Sequence, residues 1–187
     1  MSLRLLFLFG LLFASMAGCN EPRPAWSPGQ RPCELAELDA WRGGWISEFI
    51  VSGDPHAPVQ RLEQSFEWVL DGAFLLETAN GRINDQDYQQ WVYNTWDANT
   101  GKYRYWMFDS FGSTGSGTRT FDKETRTWHS EYEMITAAGM VSAGAGRSTM
   151  LDDDHCEHHF LEWVPSRSQQ KTRYQGFSRR VVQYPDE

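Results

Sequence analysis

Nowhere in the 187 residues is there an apolar run long enough to cross a bilayer. A spanning helix needs about 20 such residues, and the longest stretch, Leu5 to Ala14, stops at Ser15. Positive charge is scarce too: 17 Lys and Arg stand against 25 Asp and Glu, a formal net charge of -8 with no basic stripe. Phosphate binding needs clustered cations, so nucleic acid is excluded as a partner. An acidic chain also does not lie flat on an anionic membrane by charge alone. Internal repeats and low-complexity segments are absent, and helical periodicity is confined to Glu34 to Trp41. No Gly-x-Ser-x-Gly elbow and no oriented Cys/His pair occurs, which argues against nucleophilic catalysis. The glycine-rich Gly112 to Gly117 lies between two predicted strands and not before a helix, so it reads as a hairpin and not as a phosphate cradle.

What is present begins with a leader. Arg4 precedes the apolar run in the manner of a signal peptide, and Met16-Ala17-Gly18-Cys19 resembles a bacterial lipobox, with Met in the place of the usual Leu. The resemblance implies acylation of Cys19 as the mature N-terminus; cleavage after Ala17, leaving a free thiol, is the alternative. The next residues, Asn20 to Pro32, hold four prolines and no hydrophobic pattern, as a semi-extended tether would. The chain therefore divides into a signal peptide over 1–18, a tether over 19–33 and one domain over 34–187, the size of a single core. An exported, membrane-anchored lipoprotein of the bacterial cell envelope is the localisation these features imply.

Within the domain, blocks of period two recur between turn residues, the pattern of antiparallel strands. In Trp128 to Met134, Trp128, Tyr132 and Met134 share one face, with His129, Glu131 and Glu133 opposite. Glu63 to Leu70 behaves likewise. Further strands are predicted over 45–52, 74–79, 88–96, 103–110, 117–122, 144–151, 155–163 and 172–183, about ten in all. Turns are predicted at Asp71-Gly72, Asn80-Gly81, Asn99 to Gly101 and Asp122 to Thr125. Many short strands without alternating helices make an all-β sandwich or barrel.

Leu38 to Trp45 places a short helical lead-in and a Gly-x-Trp, Gly43 to Trp45, immediately before the first strand. This resembles the opening of the lipocalin-like, or calycin, barrels. The resemblance implies a single antiparallel up-and-down β-barrel of about ten strands with a short N-terminal helix. It further implies that Gly43 provides the tight turn, that Trp45 plugs one end and that a last-strand arginine stacks on it. Arg179 fits that pattern, with Arg180 the competing candidate. Over about 34–183 the chain is also similar to a bacterial lipocalin-like group without a settled activity, through Trp68 to Leu75, Tyr93 to Asp97, Lys102 to Ser110 and Thr127-Trp128.

Only three cysteines occur, and with Cys19 acylated the remaining two, Cys33 and Cys156, can pair where export permits a disulfide; two separately buried thiols are the alternative. The run Asp152 to His159 is dense in metal-ligand types, but on a strand its residues split between faces, so a solvated turn and edge is the reading adopted and no metal site is expected. One calycin-like branch, the nitrobindins, carries haem on a last-strand histidine; Tyr174 to Val181 has none, so no cofactor is expected. Aromatics reach 14% with nine Trp. They either fill the core or, through Trp68, Tyr105 and Trp128, line a cavity. The expected function is an envelope lipoprotein holding a small apolar or amphipathic ligand, with a side-chain-filled structural or interaction barrel as the alternative and an enzyme the remotest reading. Oligomeric state is not legible.

Overall fold

The computed structural model describes residues 31–54, 56–167 and 171–182. The signal peptide, Cys19 and most of the tether lie outside them. A 3-10 helix, Cys33–Trp41, leads into ten strands: β1 Gly43–Val51, β2 Gln60–Val69, β3 Phe74–Ile83, β4 Gln86–Asp97, β5 Lys102–Asp109, β6 Thr114–Asp122, β7 Thr127–Ile135, β8 Val141–Met150, β9 His155–Trp163 and β10 Lys171–Val182. Each pairs antiparallel with its neighbour in sequence, and β1 pairs with β10, closing an up-and-down barrel. Closure removes every sheet edge.

Alternation along each strand decides what points inward. On β1, Trp45 and Ser47 are buried and Glu48 is exposed. On β9, Cys156 and His158 are buried between the half-exposed His155, Glu157 and His159. The parity read from the Asp152 to His159 run therefore holds for the strand, but its inner half is not solvated. His158 is 6% exposed.

Two predicted turns move. Asn80-Gly81 lies inside β3, and the chain reverses at Asn84-Asp85, both left-handed at φ 50° and 62°. Two consecutive left-handed residues make the primed turn whose twist suits a hairpin. Likewise Gly115 and Gly117 belong to β6, and only Ser110 to Ser113 turn.

The helix closes the end where β1 begins. Leu35, Leu38 and Trp41 are buried against Trp45, Phe66, Leu75, Tyr103 and Trp128. Burying such a side chain contributes about 1.5–3 kcal/mol, so this plug is a large share of the core. Tyr103 Oη donates to the Glu34 carbonyl at 2.6 Å and Trp45 Nε1 to the Trp41 carbonyl at 2.7 Å, fixing the helix over the barrel end.

Candidate functional site: the barrel interior

Gly43 starts β1 at φ 111°, a conformation other residues adopt with strain. Trp45 follows at 1% exposure in the plug. The cation over its ring is Arg180, 4.4 Å from the centroid, and not Arg179. Gly176 and Ser178 face inward on β10, so 180 continues that face and Arg179 points to solvent. Arg180 also donates to the carbonyls of Arg42, Ala40 and Asp153 and pairs with Asp154, so it fastens helix, β1 and the β8–β9 turn together.

Two other expectations are corrected. The Cys33–Cys156 disulfide does not form: Cys156 is a free, buried thiol, with burial first and Glu157 second pushing it up to about 12. It sits on the inner face of β9 beside Met150, whereas Cys33 lies on the exposed start of the helix. Trp68 is inward by parity, but it packs at the plug, donating to Asp39 at 2.7 Å beneath Arg31, and is not among the residues that line the barrel cavity.

Tyr105 and Trp128 do line one. A cavity of about 560 Å³ extends from Trp41 and Phe66 at the plug to Asn84, Phe111 and Thr136 at the opposite rim. That volume falls within the range of small-ligand sites. Its walls are mostly apolar: Phe49, Leu62, Val92, Met107, Met134 and Phe160, with Tyr88, Tyr132 and Tyr174. Space for the rings comes from glycines across the strand pairs. A Cβ on Gly144 would strike Tyr132, and one on Gly176 would strike Phe49.

Above the plug runs a belt of inward polar side chains that the aromatic pattern does not announce. Ser148 Oγ meets His158 Nδ1 at 2.8 Å, and His158 Nε2 meets Ser178 Oγ at 2.6 Å. Ser178 then contacts Ser47, Ser47 contacts Gln64 Oε1, and Gln64 Nε2 donates to Glu77 Oε1 at 2.8 Å. Across the barrel, Arg119 donates to Asn94 Oδ1 at 2.9 Å and lies 4.3 Å over Tyr105. The Gln64 amide, donating to Glu77 through nitrogen, must accept through oxygen. Ser47, then Ser178, then His158 Nε2–H therefore donate in turn, and Nδ1 accepts from Ser148. Every hydrogen in the chain points toward Glu77.

Burial first, then Arg119 and His159, lowers His158 to about 4, so its ring is neutral at pH 7. Burial raises Glu77, against the opposing pull of Arg119 and Gln64. The Ser178–His158 contact has the atoms of a nucleophile and its base. Its Nδ1, however, faces a hydroxyl instead of a carboxylate, Ser178 is 1% exposed, and an imidazole of such low basicity accepts a proton poorly at neutral pH. The belt satisfies buried polar groups and fixes neighbouring strands; it is not built as a triad.

Among the described residues, no group of three or more metal-ligand side chains converges. On the Asp152 to His159 run, Asp152 accepts from His155 at 2.9 Å, Asp153 pairs with Arg126 and Asp154 with Arg180.

Among solved structures, the barrel is similar to the crystal structure of Rv2717c from M. tuberculosis, with a TM-score of 0.63 at 14% identity over 81% of this chain and 99% of that one. It also matches the S-type phycobiliprotein lyase CPES from Guillardia theta, with a TM-score of 0.46 at 10% identity over 85% and 97% of the two chains. No family model and no curated protein matches the sequence. At 14% identity the likeness to Rv2717c speaks for the fold alone: a closed ten-stranded up-and-down barrel of calycin-like form.

Proposed function

We propose that this protein is a carrier or receptor for one small, largely apolar molecule, held inside the barrel and presented from the cell envelope by a lipid on Cys19. The observation that carries the reading is the cavity of about 560 Å³ reaching from plug to rim behind apolar walls. An apolar body gains from leaving water there in proportion to its area. The polar belt gives the floor a fixed hydrogen-bonding pattern, so a ligand with a matching polar end is oriented. The binding reading is preferred to an enzymatic one because Ser178 is only 1% exposed and His158, which does line the cavity, is held neutral and weakly basic with a hydroxyl instead of a carboxylate at Nδ1.

The neutral fluorophore N-phenyl-1-naphthylamine tests it. Wild-type protein should bind the probe, and Val92→Trp, which puts a large ring into the cavity, should weaken binding at least tenfold while the circular dichroism stays unchanged. Protein purified from its own host should retain a non-covalent mass in native mass spectrometry. A wild-type protein with neither probe binding nor bound mass would refute the carrier and leave a structural lipoprotein.

A further inference from the structure

The charge of the ligand can be read from how the charges in the cavity are already engaged. Its lining carries three carboxylates, Glu77, Asp109 and Glu162, and one guanidinium, Arg119. An anionic ligand would need Arg119, yet that group is committed to Asn94 and Tyr105 and its field falls on Glu77. A ligand carboxylate or phosphate placed there would also meet Glu77 and lose its own hydration, an expensive transfer without a partner.

The carboxylates are not equivalent. Glu77 is held by Gln64 and by the field of Arg119. Asp109 sits at the rim and accepts from the backbone nitrogens of Phe111 and Ser113, both at 2.9 Å. Glu162, near the rim end of β9, has neither. Among the described residues no cation pairs with it, and its one side-chain hydrogen bond is from Tyr132 Oη to Oε2 at 3.2 Å. That bond spans a gap left on purpose by the chain: Gly144 stands between Tyr132 and Glu162 in the strand register and has no side chain to separate them. Tyr174, from the other side, feels the same charge: burial raises its phenol first and Glu162 adds to it.

We propose that the cavity takes a cationic amphiphile, a hydrophobic amine or quaternary ammonium, with its charge at Glu162 between Tyr132 and Tyr174 and its apolar body running down toward Phe49 and Met107. A carboxylate beside aromatic rings at the mouth of an apolar cavity is what such a cation binds through charge and ring faces together. This rests on the carrier reading and adds the ligand class to it.

Three probes of matched length separate the two: decyltrimethylammonium, decanol and decanoate, titrated into the full mature chain by calorimetry at pH 7.5 below their aggregation limits. The ammonium should bind at least tenfold more tightly than decanoate. In Glu162→Gln that gap should fall below threefold while decanol affinity is unchanged, which also shows the variant folded. Decanoate binding as tightly as the ammonium, or a gap that survives Glu162→Gln, would overturn the proposal and leave the carrier standing. If none of the three binds, the cationic-amphiphile proposal is overturned, and the carrier is judged by N-phenyl-1-naphthylamine binding and retained mass.

Discussion

Burial decides what His158 can be at neutral pH. In the unfolded chain the imidazole titrates at its ordinary 6.5, and in the barrel it is lowered to about 4. Between those values the unfolded state holds a proton that the native state does not, so stability rises with pH across the window and the penalty is complete below it. The size is about 3 kcal/mol. Glu77 works in the opposite sense: its raised value means the native state holds a proton the unfolded state has released, and stability falls as pH rises above 4.5. The two are separated by a variant. We predict that His158→Gln flattens the rise in unfolding free energy between pH 4 and 6.5, measured by urea titration, while the contribution of Glu77 persists. A difference between wild type and variant that is the same at every pH would show that His158 does not titrate as a buried neutral group. The belt around it was only half legible. Period two puts Ser47 on the face of Trp45 and Phe49, but Ser178, which it touches, is 131 residues away. Only strand order and register bring the two together. Arg180 over Arg179 follows from the same parity, counted from Ser178.

At the scale of strands, small and large residues are matched across pairs. Gly176 on β10 stands beside Phe49 on β1, and the ring occupies the place its Cβ would take. Overpacking of this kind costs about 1–3 kcal/mol. We predict that Gly176→Val destabilises by about 2 kcal/mol, and that adding Phe49→Ala recovers part of it, because the two substitutions act on one space. In a double-mutant cycle by chemical denaturation the coupling should exceed about 1 kcal/mol in the favourable sense; costs that simply add would refute the pairing. The ten strands themselves were legible, because hairpins joined in sequence order need only alternation and turn residues to be recognised. Asn80-Gly81 misled because glycine serves close approach as well as turning. Here it lets β2 run against β3, and the turn falls to Asn84-Asp85, whose short polar side chains tolerate the left-handed conformation.

The whole molecule is polar in the geometric sense, with a plugged end and an open one. Arg31, the first described residue, packs at the plugged end, hydrogen-bonded to Asp39 and over Trp68. The proposed anchor on Cys19 would then join the barrel at its closed end, through the 11 residues 20–30, of which three are prolines. With that anchor the mouth, at the β7–β8 turn around Ala138, would face away from the membrane, about 25 Å farther out than the β2–β3 turn for strands of this length and tilt. We predict that the full-length chain partitions with membranes in its host and that Cys19→Ala releases it in soluble form. In the anchored protein, a fluorophore at Asp71 should transfer energy to a membrane dye more efficiently than one at Ala138. Retention of the Cys19→Ala chain on membranes would refute the lipid anchor. Equal transfer from the two positions, or stronger transfer from Ala138, would refute the outward-facing mouth while leaving the anchor intact.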